Sequence, residues 1–164
     1  KPTAVGMATG AVAGLVGITP GAGFVTPAAG IAIGAITALL CYLSVQLKVS
    51  LRFDDSLDTF AVHGVGGTIG AILTGVFASS ELISSHPAGR ILAENGRLAL
   101  IGGQFQAVLV AYGLAALGTL LIAIVLRGLG MPFRVPEEAE NLGVDVREHG
   151  EEAYPERIGS PQLH

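Results

Sequence analysis

No Asp, Glu, Lys or Arg interrupts the chain between Lys1 and Lys48. Surface helices and strands of a water-soluble domain carry a charged or polar face opposite the apolar one, and a run of that length leaves no room for such faces. A chain that crosses a bilayer needs such runs, because about 20 apolar residues span the hydrocarbon core as a helix. Two breakers divide this one. Thr19-Pro20-Gly21 and Thr26-Pro27 leave apolar segments over about 2–18 and 27–47. A third apolar segment covers about 59–78 and continues a helix expected over 54–78, with His63 the only ionisable residue past Thr59. The fourth, 98–126, is uncharged for 29 residues. At about 1.5 Å rise per residue it exceeds a hydrocarbon core of roughly 30 Å, so tilt is expected.

Composition agrees. Of 164 residues, 51% are hydrophobic and only 13% charged, and the 24 glycines have no three-residue period that would suggest collagen. Mean hydropathy is +0.63. The fold class is therefore all-α, a polytopic membrane helix bundle with a body over 1–130 and an acidic tail over 131–164. From Met131 onward eight acids face three arginines, so the tail carries −5 and the body about +1 of the chain's net charge of −4. An acidic tail argues against nucleic acid or anionic lipid as partners. Lys1, Lys48, Arg52, Arg127 and Arg134 fall on one side of four alternating spans, and Arg90 and Arg97 on the other. The positive-inside rule makes the first side, and the tail, cytoplasmic. The chain starts at Lys1 without the form of a signal peptide and reads as a piece of a longer one. Cys41 is the only cysteine, which leaves no disulfide framework.

The spans are built to approach closely. Gly6, Gly10 and Gly14 recur every fourth residue, as do Gly30 and Gly34, and Gly66 and Gly70. Small-xxx-small spacing lets backbones touch in lipid, where there is no hydrophobic drive for helices to associate. Gln104 and Gln106, near one end of the fourth span, are expected to bond neighbouring helices.

His63 is the sharpest chemical feature. An ionisable residue in a span is costly and faces the bundle interior or a cavity. Removal from water favours the neutral imidazole, whose donor and acceptor nitrogens can pass along a hydrogen bond or a proton. A structural histidine bonded to a neighbouring helix carbonyl is the alternative. A helix that starts at Thr59 puts His63 about 6 Å along it, whereas a start near Asp54 puts it close to mid-membrane. Asp54, Asp55 and Asp58 cluster at the helix entry, where acids satisfy free N–H groups and the macrodipole. Asp58 and His63, five residues apart, do not share a helical face, so a Ser56-His63-Asp58 hydrolase is rejected. Gly64-Val65-Gly66-Gly67 follows no strand and is no nucleotide loop. No histidine pair has metal-ligand spacing. In the tail, Pro136, Glu137, Glu138 and Gly143 mark the start and stop of a short helix.

The residues DDSLDTFAVHGVGGTIGAILTGVFA at Asp54–Ala78 closely resemble the penultimate membrane helix of the ammonium transporter (Amt/Mep/Rh) family. FRVPEEAENLGVDVREHGEEAY resembles that family's C-terminal region, and GMATGAVAGLVGITPGAGFV its eighth helix and following turn. The chain up to Tyr154 is thereby similar to the C-terminal part of a bacterial Amt protein: the last four of eleven helices plus the tail. The resemblance implies two inverted repeats of five helices with the eleventh tilted across the outside, and a homotrimer with one pore per subunit. It implies a pore lined by two histidines, one from each repeat. His63 matches the second, and the first lies outside this chain, as do the phenylalanine gate and the external ammonium site. Asp58 matches an acid beside the conducting helix. Thr59 and Val12 match positions near the cytoplasmic half of the pore.

The implied function is ammonium or ammonia transport across the cell membrane. It is no enzyme and needs no cofactor or metal. Stripping a cation of water in an apolar pore is prohibitive, so ammonium gives up a proton and ammonia crosses along the imidazoles. The family tail folds over the cytoplasmic face and couples subunits, and a PII-type regulator can block that face. One inverted repeat alone cannot close a pore that two build at their interface. The rival readings are an ammonium sensor on the same fold, signalling through the tail, and a packing subunit in which His63 is structural. Pro155–His164 matches nothing in the family.

Overall fold

The computed structural model describes residues 3–55 and 57–150. Lys1, which enters the orientation argument, Ser56, and the end of the HGEEAY motif with all that follows lie outside the described residues. Among the described residues the architecture is helical, with one isolated antiparallel bridge between Val25 and Ala78. Helix α1 spans Ala4–Ile18 and passes into a 3₁₀ turn, Thr19–Gly21. The Thr3 hydroxyl caps α1 by accepting from the Gly6 N–H at 3.0 Å. Helix α2, Pro27–Ser50, opens with Thr26 as cap and Pro27 in its first turn, so the second sequence breaker acts as a helix start. A π-helical turn over Phe60–Val65 runs straight into α3, Gly66–Phe77. Helix α4 covers Pro87–Gly128 and contains a kink where Gly96 takes φ +79°. Two short helices follow, α5 at Glu137–Leu142 and α6 at Val144–His149.

Four of these stretches are long and apolar enough to cross a membrane: Ala4–Gly21, Pro27–Ser50, Phe60–Phe77 and Pro87–Gly128. One boundary differs from the sequence reading. The third helix begins at Phe60 and not near Asp54, because Asp55 caps it there. At the fourth, Gly96 divides a short helical stretch from Pro87, which carries Arg90 and Glu94, from the long apolar one that follows it.

Side-chain size sets the packing of α1, α2 and α3. The contacts Gly14–Gly34 and Ile18–Gly30 run antiparallel, and Gly17–Gly70 and Gly21–Thr74 run parallel. Thus α2 runs against α1, and α3 runs with it. A Cβ on Gly70 would stand 2.2 Å from the Gly17 carbonyl oxygen, and one on Gly17 2.3 Å from Thr37 Oγ1. Only glycine permits that approach. The core is correspondingly small: Ala13, Cys41 and Val62 in one cluster, and Ala78, Ile83 and Leu100 in another. Large side chains point outward instead, Val5 at 77% and Ile31 at 76% exposure among them. That inversion suits lipid or further helices as surroundings, not water.

The chain divides into two units, Lys1–Leu114 and Ala115–His164. In the second, α5 starts after Pro136, and Gly143 ends it with φ +103°, a left-handed geometry suited to glycine. Arg134 bonds the Glu140 carboxylate at 2.8 Å, and Arg147 lies 3.7 Å from Glu138. The Arg134 hydrogen bond holds the Glu140 carboxyl below its ordinary range.

Candidate functional site around His63

The approach to the π turn is fixed by charge. Lys48, in the last turn of α2, donates to the Asp58 carboxylate and to the Asp55 carbonyl. The Asp55 carboxylate accepts from the N–H groups of Thr59 and Phe60, both at 2.9 Å. It therefore satisfies two of the donors that a helix start leaves free. Asp58 takes φ +56°, in the left-handed region that few non-glycine residues adopt. Its side-chain pairing with Lys48 and its carbonyl, which accepts from Val62 N–H at 2.8 Å, pin it there. Asp55 acts as the sequence reading expected of an acid at a helix entry, whereas the Asp58 carboxylate pairs with Lys48 instead. The reason Asp58 is no partner for His63 is more direct than helical spacing: it precedes the helix and its carboxylate is held by Lys48.

With the helix beginning at Phe60, His63 falls within its first turn. Ala61 and Val62 are buried and His63 is exposed. Val62 packs on Ala13 and Cys41, and its carbonyl accepts from the Cys41 thiol at 3.8 Å. His63 thus follows the residue that seals the turn to α1 and α2. Among the described residues no hydrogen bond engages its ring. Thr59, four residues earlier, is exposed, and so is Val12, which precedes the buried Ala13. Val12 and His63 are each the chain neighbour of a residue in the Ala13–Val62 contact. A cavity of about 290 Å³ opens beside it, lined in part by Gly6, Gly10, Tyr42, Gln46 and Asp58.

The glycines divide into two groups. Gly14, Gly66 and Gly70 each face another helix at close range, whereas Gly10 meets nothing within 4 Å and Gly6 only its own cap, Thr3. Gly17, outside the four-residue stripe, makes two of the tightest contacts in the chain. Gln104 and Gln106 make no hydrogen bond to a neighbouring helix among the described residues. Two other residues of α4 do. The Arg97 guanidinium donates to the carbonyls of Val76 at 2.6 Å, Ala78 at 3.1 Å and Gly75 at 3.3 Å, which closes the C-terminal end of α3. Tyr112 reaches the Gly64 carbonyl at 3.0 Å and the Thr68 hydroxyl at 2.9 Å. Sequence reasoning passed over both: Arg97 entered only as a loop charge, and Tyr112 lies unmarked in an apolar run.

Among the described residues the imidazole stands on an apolar surface with no acid, nucleophile or second ligand attached to it. No group of residues able to hold a metal occurs among the described residues. Such a surface can offer a hydrogen bond to a small polar molecule.

The model of the Ammonium Transporter Family matches residues 1–154. The chain belongs to the ammonium transporter family. The ammonium transporter of Bacillus subtilis is 44% identical over 155 residues, covering 94% of this chain and 37% of that protein. That of Aquifex aeolicus is also 44% identical, over 94% of this chain and 35% of its own. Among solved structures, Candida albicans Mep2 superimposes with TM-score 0.56 at 30% identity, over 92% of this chain and 33% of that one. The chain thus spans about a third of the length of these family members. They are named transporters, which sets the family apart from enzymes, and the membrane-spanning helices described above make this member a multi-pass membrane protein.

Proposed function

We propose that this chain forms part of an ammonium transporter in the cell membrane, and that His63 lines the path of ammonia. One observation carries the reading. The only ionisable residue in the Phe60–Phe77 span turns away from the core formed by α1, α2 and the π turn, while its neighbours Ala61 and Val62 are buried in it. A group so costly in lipid belongs on a surface that other helices of the complete protein close into a pore. Ammonium sheds its hydration shell and a proton before that apolar passage, since an unpaired cation there is prohibitive. Neutral ammonia then crosses, held by hydrogen bonds to the imidazole. Thr59 and Val12 line the cytoplasmic half of the path, and Asp58 keeps its structural role with Lys48. The body is 1–130, and the acidic segment from Met131 is cytoplasmic and regulatory, open to a PII-type protein. The assembly is a homotrimer.

The test is an ammonium-pulse current in liposomes holding a complete transporter that contains this chain, with and without His63→Ala. The substitution is expected to abolish the current or its discrimination against potassium. An unchanged, selective current would remove His63 from the path. No current in the parent, with ammonium binding retained, would favour a sensor.

A further inference from the structure

The backbone that carries His63 is a π turn, a rare form of helix that occurs mostly as single-turn bulges, often at functional sites. Something must favour it over the α form. The carbonyl of the next residue, Gly64, accepts from the Thr68 hydroxyl at 2.7 Å and from the Tyr112 hydroxyl at 3.0 Å. The two hydroxyl oxygens are themselves 2.9 Å apart. Three oxygens share two protons. Thr68 donates to the carbonyl, and Tyr112 donates either to the carbonyl or to Thr68. Gly64 itself has no room for a side chain, since a Cβ would stand 2.9 Å from the Phe60 ring. Tyr112 comes from α4 and makes a long-range bond to the π turn.

We infer that Tyr112 and Thr68 are positioning residues for His63. By supplying hydroxyl donors to the Gly64 carbonyl they hold the π turn, and the π turn sets the direction of the imidazole. An α-helix rotates about 100° per residue, so relaxing the turn by one residue would swing His63 off its face by roughly that angle. This inference rests on His63 lying in the conduction path.

The experiment compares Tyr112→Phe, Thr68→Val, Thr68→Ser and His63→Ala in a complete transporter containing this chain. It reads the ammonium-over-potassium current ratio in liposomes and the nitrogen NMR signal of the His63 imidazole. Tyr112→Phe keeps the ring and should lower the ratio about fivefold, the factor one net hydrogen bond contributes. It should also shift the imidazole signal. Thr68→Ser should behave as the parent, and Tyr112→Phe with Thr68→Val should lose more than either alone. If Tyr112→Phe keeps the parent ratio and signal while His63→Ala destroys selectivity, positioning is overturned and the conduction reading stands. A fall in thermal stability with an unmoved imidazole signal also overturns it. If His63→Ala changes nothing, the conduction reading falls, and the imidazole signal alone then decides whether Tyr112 orients the ring.

Discussion

The helix that carries His63 is held differently on its two sides. Toward α1 and α2 it is held by absence: Gly70 lies on the Gly17 carbonyl, and Gly66 lies against Cys41, Val16 and Thr37. Toward α4 it is held by presence: Arg97 grips its C-terminal carbonyls, and Tyr112 reaches its first turn. The first kind of contact admits no intermediate state, because a methyl group either fits or does not. The second is a set of hydrogen bonds that can be weakened one at a time. The two sides of this helix therefore differ in kind, one fixed by sterics and the other adjustable bond by bond.

The contrast can be broken most sharply at Gly70. Gly70→Ala places a methyl group in the Gly17 backbone and is expected to cost about 3 kcal/mol or more, the upper range for overpacking. Gly10→Ala meets nothing within 4 Å and should be near neutral in this chain. Unfolding midpoints of both variants in detergent check this, and equal effects would dissolve the distinction. On the other side, Arg97→Gln should cost less, about 1–2 kcal/mol, because hydrogen bonds are lost but no backbone is displaced. The same unfolding measurement reads it, and a cost equal to that of Gly70→Ala would mean α4 is as rigid a wall as α1. The smallest effect belongs to the Arg134–Glu140 pair. The folded Glu140 carboxyl lies below its ordinary range, so the contribution is complete above the ordinary carboxylate range and is lost as pH falls through the lowered value. A carbon NMR titration of Glu140 checks it. Arg134→Ala should return Glu140 toward ordinary behaviour and leave unfolding of the apolar body unchanged.

What was legible in the sequence followed from cost. Charge in lipid is expensive, so the spans and His63 stood out wherever charge was missing or singular. Glycine spacing gave Gly14, Gly66 and Gly70, whose contacts lie on the repeating face. It missed Gly17, because a four-residue stripe describes one crossing and α1 crosses both α2 and α3. The π turn left no mark, since one extra residue in a turn does not alter which side chains are apolar. The amides of Gln104 and Gln106 drew attention as polar groups in an apolar run, yet the bonds between helices come from Arg97 and Tyr112. A tyrosine reads as apolar until its hydroxyl meets a carbonyl, and that meeting depends on how two helices lie together.

Cys41 turns the small core into an instrument. Its thiol is 1% exposed at the junction of α1, α2 and the π turn, and it is the only cysteine in the chain. A membrane-permeant thiol reagent reaches it faster when those elements part. Its labelling rate would therefore time the opening of the wall behind His63, as amide exchange times local unfolding elsewhere. The structure thus contains a clock for the parting of the helices behind His63.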